Sequence, residues 1–392
     1  MTLPEAAWES VAERTWDAVV IGAGPAGAVA ARQLALRGAR VLLVDKKPFP
    51  RPKVCGACLN GAGLQVLESI GLEALPARLG GVPLDGLRLG IAGRFQEIPL
   101  PGGMAVSRSR FDEALVGAAV DAGARFLSDA RASIADATAD ARHVRLTRRD
   151  RATSVSARVV VAASGLGGIG PADGLALRTR VERRSRVGSG CAVVDFPAFY
   201  RTWTIFMAVG KGGYVGLVRV EDGSLNAAAA FERRFLRASG GPAVAAARVL
   251  SESGFPSVPA LGEAEWRGTV ALTRETRPVA GERVFLIGDA TGYVEPFTGE
   301  GMAWALMSAQ AVESLAARAI EGWDPALARS WSITHDRLLA GRRRTCRAAA
   351  LLLRSPRLAS LAFAASSRLP GLTRRIIEHV NDAPALNLRV ES

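Results

Sequence analysis

The chain has 392 residues, of which 49% are hydrophobic and 22% charged, so it is long enough for two domains and does not have the composition of a disordered protein. Its formal net charge of +13 is compatible with a nucleic acid, an anionic membrane or an acidic carrier protein as partner, and equally with an arginine-rich composition alone. Four cysteines are too few for a disulfide framework. No apolar run reaches the roughly 20 residues of a membrane span and no signal peptide is evident, so we expect a cytoplasmic protein.

The first motif is a glycine-rich turn between two apolar runs. Residues 17–21 (DAVVI) have the β-branched composition of a buried parallel strand, and Gly22, Gly24 and Gly27 follow in GxGxxG spacing. A helix-forming segment comes next, then a second strand that ends at Asp45, where an acid that binds a ribose is expected. The glycines allow a tight turn, a close approach to a pyrophosphate and close helix packing. Because these parts occur in order, the pattern predicts a dinucleotide site.

A second strand–loop–helix pattern lies far downstream, at residues 283–314. A buried strand leads to Asp289, and TGEG at residues 298–301 opens a long helix of small residues. This arrangement resembles the flavoprotein hydroxylase fold, in which the aspartate binds the ribityl chain of FAD. In that fold the N-terminus of the following helix faces the pyrimidine edge of the flavin and favours its anionic reduced form. Together the two motifs indicate that the dinucleotide is FAD.

Three stretches narrow the resemblance to one family. They are EPFTGEGM at residues 295–302, RPKVCGACL at residues 51–59 and a segment that begins AVSRSRFDEAL at residue 105. They resemble the geranylgeranyl reductase-like branch of FAD-dependent oxidoreductases, which is related to flavin monooxygenases and flavin-dependent halogenases. The resemblance runs from about residue 15 to about residue 320, and it implies that Arg108, three residues before the FD pair, touches the cofactor.

The sequence departs from the related flavoproteins at three places. Ser164 stands where the superfamily has the aspartate of a DG pair, which weakens the expectation of rapid reduction by NADPH. Gly292 stands where monooxygenases commonly carry a histidine after GDA. The WxWxIP signature of halogenases is absent, and the nearest stretch is WTIFM at residues 203–207.

Cys55 and Cys58 form a CxxC within the RPKVCGACL stretch. A zinc site is disfavoured, because the chain has no second CxxC and only three histidines. A redox pair, inert packing and a place in the substrate pocket remain, and the resemblance implies the pocket, with Cys55 against the flavin. Lys53, in the same stretch, is expected either to contact an anion or the flavin, or to be solvated.

The middle of the chain has a strand-rich pattern. Apolar segments alternate with turn residues after about residue 175, and VEDGSL at residues 220–225 is a hairpin signal. Residues 86–100 have the pattern of another strand pair. We assign both regions to one antiparallel sheet domain that would cover the flavin and shape the substrate cavity. Its aromatic residues expected to form cavity walls are Tyr200, Trp203, Phe206 and Tyr214.

The expected fold is α/β: a three-layer, Rossmann-like FAD/NAD(P)-binding domain with an inserted antiparallel β-sheet substrate domain and a helical C-terminal extension. The expected boundaries are 1–84, 105–174 and 269–323 for the FAD-binding domain, 85–104 and 175–268 for the substrate domain, and 324–392 for the extension.

The extension alternates arginines with aliphatic patches. One expectation is that its helices bind an acidic carrier protein or the inner face of an anionic membrane. The other is that they pack on the FAD-binding domain with their arginines in solvent. Nucleic acid is not an expected partner, because aromatic residues make up only 6% of the chain and no binding motif is present.

The expected site divides into two groups, and no metal ligands are expected. The cofactor contacts are Gly22, Gly24, Pro25, Ala26, Gly27, Asp45, Lys46, Lys53, Arg108, Gly165, Gly288, Asp289, Pro296, Thr298, Gly299, Gly301 and Met302. The residues expected to act on the reacting groups are Cys55, Gly299, Glu300 and Gly301.

The expected function is redox chemistry on a hydrophobic small molecule, either prenyl-like or polyketide-like. The leading hypothesis is hydride transfer from reduced flavin to a carbon–carbon double bond, with NADPH or NADH as electron donor. The alternatives are a monooxygenase that hydroxylates an aromatic ring and a lipid carrier without turnover. His143, His335 and His379 are expected to be surface or capping residues, so no histidine general base is assigned.

Overall fold

The computed structural model describes residues 3–12, 14–168, 174–295, 297, 299–352, 354, 371, 378 and 381–382. The helices are α1 (Trp8–Ala12), α2 (Pro25–Leu36), α3 (Gly61–Ser69), α4 (Leu75–Arg78), α5 (Arg108–Asp121), α6 (Arg233–Ala238), α7 (Pro242–Ser253), α8 (Gly301–Glu321) and α9 (Pro325–Leu352). The strands are β1 (Trp16–Ile21), β2 (Val41–Val44), β3 (Cys58–Asn60), β4 (Val82–Pro83), β5 (Gly86–Ile91), β6 (Arg94–Pro99), β7 (Gly103–Ala105), β8 (Arg125–Leu127), β9 (Arg131–Ala137), β10 (Arg142–Arg148), β11 (Arg151–Ala162), β12 (Arg178–Val181), β13 (Val187–Val193), β14 (Thr204–Gly210), β15 (Gly213–Arg219), β16 (Leu225–Phe231), β17 (Arg267–Ala271), β18 (Arg274–Arg277), β19 (Ala280–Gly281), β20 (Val284–Leu286) and β21 (Gly292–Tyr293).

The nucleotide-binding half is built on a mixed sheet of eight strands. Its main path runs β19–β20–β11–β1–β2–β8, and the pairs from β20 to β8 are parallel. Strand β1 is central, with Val20 paired to Val161 on one side and to Leu43 on the other. Strands β1 and β2 are almost wholly apolar and buried, as expected where both faces of a parallel sheet are covered.

Alternate side chains of β1 belong to two different cores. Ala18 and Val20 pack with helices α2, α3, α5 and α8, whereas Val19 and Ile21 pack with α1 and the antiparallel strands β9, β10 and β11. Because successive side chains of a strand point to opposite faces, the sheet lies between a helical layer and this meander. The arrangement confirms the predicted α/β fold class with a Rossmann-like domain.

The second half is a seven-stranded sheet in the order β17–β13–β16–β15–β14–β5–β6. Strands β5 and β6 come from far upstream and join through a parallel pair, in which Met207 lies opposite Leu89. The hairpin predicted at residues 220–225 is confirmed, since β15 and β16 are antiparallel and Gly223 takes a φ of +83° in the turn. One face of this sheet packs on α7. The other face looks toward a cavity between the two halves.

Two three-stranded sheets, β12–β18–β21 and β3–β7–β4, complete the strand pairing. Helix α9, the described part of the predicted extension, packs on the nucleotide-binding half, where Trp331 donates to the carbonyl of Leu286 at 2.9 Å. Most of the extension beyond it lies outside the described residues. Among the helices of the described ranges, none combines the length and the hydropathy that crossing a bilayer requires.

Candidate active site

A cavity of about 820 Å³ lies where the carboxyl ends of β1, β2 and β11 face the seven-stranded sheet. Ligands of open parallel sheets bind at this edge, where the strands give way to loops. The cavity is continuous from Asp45, at the end of β2, to Gly301, at the start of α8. It therefore passes both sequence motifs.

The three glycines of the first motif are required for different reasons. Gly22 has a φ of +104°, and a Cβ there would lie 2.3 Å from the carbonyl oxygen of Ala163. A Cβ on Gly27 would lie 1.8 Å from the carbonyl oxygen of Gly22. Gly24 differs, because its Cβ would meet only the Arg108 guanidinium at 3.6 Å and that of Arg51 at 3.8 Å. The absent side chain at Gly24 thus leaves room for a ligand rather than for packing.

The N-terminus of α2 opens into the same part of the cavity. Gly24 is the N-cap residue, so no side chain caps the first N–H groups of the helix. Gly24, Pro25 and Ala26 line the cavity. The first N–H groups of a helix carry partial positive charge and bind anions. This end of the cavity is therefore suited to a pyrophosphate.

A chain of four alternating charges flanks the glycine turn. Asp45 accepts hydrogen bonds from the Ala23 amide at 2.8 Å and from Arg51 Nη2 at 3.2 Å. Arg51 Nη1 donates to Asp112 at 3.1 Å, and Asp112 also accepts from Arg108 Nε and Nη2 at 2.8 and 2.9 Å. Both arginines line the cavity. Arg51 and Asp112 were missed by the sequence motifs, although Asp112 belongs to the FD pair already quoted.

Lys53 and Asp289 both line the cavity, and their opposite charges interact. Burial lowers the pKa of the Lys53 ammonium, and the nearby Arg108 guanidinium lowers it further. Burial raises the pKa of the Asp289 carboxyl, while the cations of Lys53, Arg108 and Arg343 act in the opposite direction. Both pKa shifts arise because burial removes water from the charged group. This is expected where polar atoms of a ligand would take the place of that water.

The start of α8 forms the far end of the cofactor cleft. Gly299, which has a φ of +74°, and Gly301 and Met302 line the cavity. Gly288 lies directly before Asp289, and its amide donates to Ser308 Oγ of α8 at 2.9 Å. Pro296 and Thr298 lie outside the described residues.

Glu300 does not face the reacting groups, contrary to the expectation from TGEG. It is fully buried, accepts from Arg342 Nη1 of α9 at 2.8 Å and from Trp304 Nε1 at 3.3 Å, and receives the Cys346 thiol at 3.1 Å. As the N-cap residue of α8 it turns its side chain away from the cavity. Its role is to fasten α8 to α9.

The CxxC lies beside the cofactor cleft with both thiols free. Cys55 and Cys58 line the cavity, and Cys55 lies beside the Arg108 side chain. The Cys58 thiol donates to the Gly56 carbonyl at 3.1 Å, and burial raises its pKa well above the ordinary value. Cys55 is therefore the cysteine next to a cation, and Cys58 is held as a neutral thiol.

Of the four aromatic residues predicted to form cavity walls, only Tyr214 lies there. Tyr200 and Phe206 are buried on the opposite face of the seven-stranded sheet, with ring centroids 5.2 Å apart, in the core beside α7. Trp203 precedes β14 with a φ of +69° and is 56% exposed. Strand alternation explains the difference, since Phe206 and its neighbours Ile205 and Met207 point to opposite faces.

Ile205 and Met207 line the cavity instead of Phe206. With other apolar side chains they form what we call the apolar lobe, opposite the cofactor cleft. The apolar lobe is lined by Leu87, Ile205, Met207, Val218, Ala228, Ala230, Val270, Leu272 and Phe297.

Helix α9 supplies buried polar groups behind the Asp289 loop, which sequence reasoning missed. His335 is fully buried, not a surface residue, and its Nε2 lies 2.9 Å from Thr291 Oγ1. Arg343 Nη2 donates to the same oxygen at 2.9 Å. Because Thr291 Oγ1 donates to the Gly288 carbonyl at 2.8 Å, His335 must be the donor to it. His143 is a half-exposed partner of Asp136, and His379 lies outside the described residues.

Two of the three departures from related flavoproteins have structural consequences. Ser164 lines the cavity, and its Oγ has no hydrogen-bond partner among the described residues. Gly292 has a φ of +123°, and a Cβ there would lie 2.7 Å from the Arg274 carbonyl, so a histidine does not fit. Gly165 and Lys46 also line the cavity.

These residues fit FAD along the whole cleft. The glycine turn, the α2 N-terminus and the guanidiniums of Arg51 and Arg108 would hold the pyrophosphate, and Asp45 would bind the ribose. Asp289 and the α8 N-terminus are placed for the ribityl chain and the flavin ring.

Comparison with known proteins agrees with this assignment. The model of the FAD binding domain family matches residues 15–330. Menaquinone reductase of Mycobacterium tuberculosis is 32% identical over 367 residues, which cover 87% of this chain and 85% of that protein. Digeranylgeranylglycerophospholipid reductase 2 of Methanopyrus kandleri is 29% identical over 318 residues, which cover 78% of each chain.

A solved structure shows the same fold. The geranylgeranyl bacteriochlorophyll reductase-like protein of Thermoplasma acidophilum superposes with a TM-score of 0.73 at 20% identity, covering 87% of this chain and 88% of that one. The cofactor cleft and the match over most of the chain lead to one conclusion: this chain is a member of the FAD binding domain family and an FAD-dependent oxidoreductase related to the geranylgeranyl reductases.

Proposed function

We propose that the protein reduces a carbon–carbon double bond in the isoprenoid chain of a lipid. The observation that carries this proposal is the apolar lobe. It joins the cofactor cleft in one cavity of about 820 Å³, and most of the side chains that define it are aliphatic. A long apolar chain would bury its surface there, because each methylene removed from water contributes about 0.8 kcal/mol.

The names of the relatives support this substrate class. One relative is a menaquinone reductase, and another reduces a digeranylgeranylglycerophospholipid. A geranylgeranyl group is a chain of isoprene units with internal double bonds. An apolar cavity suits such a chain in this protein as well.

When bound and reduced, FAD supplies a hydride to the substrate double bond. The chain's own residues prepare for this event. The α8 N-terminus at Gly299 and Gly301 offers partial positive charge beside the flavin, and the apolar lobe holds the alkene while excluding water. Cys55 lines the cavity beside Arg108, and we expect it to border the substrate there.

NADPH or NADH is the proposed electron donor. Ser164 replaces an acidic residue at the cavity wall, so we expect slower reduction than in flavoproteins that have the aspartate. A separate reductase would then serve as the source of electrons.

We also propose that the protein takes its substrate from an anionic membrane surface or an acidic carrier protein. The outward face of α9 carries exposed Arg329, Arg337, Arg344 and Arg347, together with Ile333 at 53% exposure. Basic and apolar residues on one helix face suit an anionic lipid surface. Co-sedimentation with anionic vesicles that falls with added salt would support this partner, whereas binding indifferent to lipid charge and salt would exclude it.

An anaerobic half-reaction tests the proposed function. Purified protein with bound FAD is reduced by NADPH, or by dithionite if NADPH fails, and then mixed with a geranylgeranyl compound. Recovery of the oxidised flavin absorbance without oxygen, with a product heavier by two hydrogens, is the expected result. If the isoprenoid leaves the flavin reduced while oxygen and a phenol yield a hydroxylated product, the protein is a monooxygenase. Binding of the isoprenoid without either reaction indicates a carrier.

A further inference from the structure

Tyr214 is a hydroxyl-bearing side chain in the wall of the cavity contributed by the seven-stranded sheet. It is one of only three tyrosines in the chain, and Tyr200 lies away from the cavity. The Tyr214 ring packs edge-on against Phe297 of the apolar lobe, with ring centroids 5.3 Å apart. Its position on β15 places it in the sheet wall of the cavity, in one apolar cluster with Tyr293 and Phe297. A substrate held between sheet and flavin would therefore have Tyr214 on its sheet side.

A buried ion pair lies directly behind this ring. The Arg186 guanidinium is 5.6 Å from the centroid of the Tyr214 ring and donates to Glu295 Oε1 at 2.9 Å. The side chains of Arg186 and Glu295 are 1% and 0% exposed. Glu232 is the other carboxylate nearby, at 4.0 Å from Arg186 Nη2.

Buried ion pairs are poor stabilisers, because the lost hydration of both charges offsets most of their attraction. Glu295 Oε2 finds no hydrogen-bond donor among the described residues, so the pair is not fully compensated even locally. Burial, and then the Glu295 carboxylate, raise the pKa of the Tyr214 phenol, whereas the Arg186 guanidinium acts in the opposite direction by stabilising the phenolate relative to the phenol.

We propose that Tyr214 is the proton donor that completes reduction of the substrate double bond, with Arg186 stabilising the transient phenolate and Glu295 fixing Arg186. This inference rests on the proposed function, since only addition across a double bond needs a second hydrogen delivered as a proton. In that step the hydride forms one new C–H bond at the first alkene carbon. The Tyr214 O–H bond breaks, and its proton forms the other C–H bond. The alkene is reduced, the bound flavin is oxidised, and the phenolate takes a proton back from water.

Two other groups in the cavity wall are less suited to this role. A Cβ on Gly301 would lie 3.3 Å from the hydroxyl of Tyr293, so that hydroxyl lies at the α8 N-terminus, on the cofactor side of the cavity. Cys55 lies beside Arg108, also on the cofactor side. A proton delivered from the face opposite the hydride donor comes most directly from Tyr214.

The test compares Tyr214→Phe with Tyr293→Phe, each of which removes one hydroxyl and keeps the ring. We expect both variants to bind FAD with the wild-type affinity in a fluorescence titration and to be reduced at the wild-type rate. Reoxidation by the isoprenoid should slow by about 100-fold or more in Tyr214→Phe and by less than threefold in Tyr293→Phe, in line with the usual contribution of a general acid. If the wild-type enzyme itself fails to be reoxidised by the isoprenoid, the proposed function is wrong. If wild type and Tyr214→Phe react alike, only the assignment of Tyr214 is wrong.

A second measurement needs neither FAD nor turnover. Tyr214 is replaced by 3,5-difluorotyrosine, whose more acidic phenol titrates in an accessible pH range, and its ¹⁹F shift is followed in the apoprotein. Introducing Arg186→Gln should raise the pKa of this phenol, because the cation that favours the phenolate is lost. Arg219→Gln, which alters a cation on the same strand, should leave it unchanged. An unchanged titration in Arg186→Gln would overturn the role given to Arg186.

Discussion

Asp112 and Arg108 are joined by two parallel hydrogen bonds, at 2.8 and 2.9 Å, one helical turn apart on α5. Asp112 is fully buried and also accepts from Arg51 at 3.1 Å, so a single carboxylate holds two guanidiniums against the cavity. Such charge-assisted, two-point bonds are among the strongest in proteins. Asp112 thus orients the cations proposed to meet the pyrophosphate, without reaching it.

The first prediction concerns Asp112→Asn. Removing its charge leaves Arg51 and Arg108 mutually repelling in a buried place, and breaking a buried pair costs about 3 kcal/mol. We expect that loss of unfolding free energy in urea and at least a tenfold rise of the FAD dissociation constant. Asp121→Asn, at the exposed end of the same helix, is the control and should change neither. If Asp112→Asn binds FAD with the wild-type affinity, the charge network around Asp112 does not take part in FAD binding.

The second prediction separates the glycines of the first motif. Gly27→Ala should lower the Tm of the apoprotein, because its Cβ would lie 1.8 Å from the Gly22 carbonyl oxygen. Gly24→Ala should leave that Tm unchanged, because its Cβ meets only guanidiniums at 3.6 Å or beyond. We nevertheless expect weaker FAD binding in Gly24→Ala, measured by flavin fluorescence, since the methyl group would occupy the approach of the pyrophosphate. A Gly24→Ala protein that binds FAD normally would place the ligand elsewhere.

Most of the fold could be predicted from local sequence patterns. The order of strand, glycine turn, helix and second strand needs only neighbouring residues, and strand burial follows from apolar runs. The hairpin at residues 220–225 is likewise a local signal. These features were predicted because the physics that forms them acts over a few residues.

Side-chain direction and distant partners were not predictable in this way. Phe206 and Tyr214 are both aromatic residues in strands, and only the pairing of β14 with β15 shows that they face opposite sides of the sheet. Glu300 looks like part of the flavin loop in the sequence. Its partner Arg342 lies 42 residues later, on a helix whose position no motif reveals.

The third prediction concerns the CxxC. Cys55 lines the cavity next to Arg108, whereas the Cys58 thiol donates to the Gly56 carbonyl and burial raises its pKa. Iodoacetamide should therefore modify Cys55 of the apoprotein at least tenfold faster than Cys58, as read by peptide mass spectrometry, because the thiolate is the nucleophile. Burial also raises the pKa of Cys191, to about 12, which makes it the slow internal reference. Saturation with FAD should slow the modification of Cys55. Equal labelling with and without FAD would show that Cys55 does not lie at the FAD site.

The fourth prediction concerns pH and His335. Burial, and then the nearby Arg343 cation, lower the pKa of this imidazole from 6.5 to about 3 in the folded protein. Below pH 6.5 the unfolded chain binds a proton at this site that the folded chain does not, so folding stability must fall as the pH falls from 6.5 toward 3. At pH 5 the loss attributable to His335 is about 2 kcal/mol.

The experiment is urea unfolding between pH 7.5 and 5, in wild type and in His335→Gln. The variant should be less stable at pH 7.5, because it loses part of the contact with Thr291, but its stability should decline less on acidification. His143→Gln, at a half-exposed histidine, serves as the control and should keep the wild-type slope. If His335→Gln keeps that slope as well, the imidazole is protonated in the folded protein, and the hydrogen bond to Thr291 cannot be what holds it neutral beside the Asp289 loop.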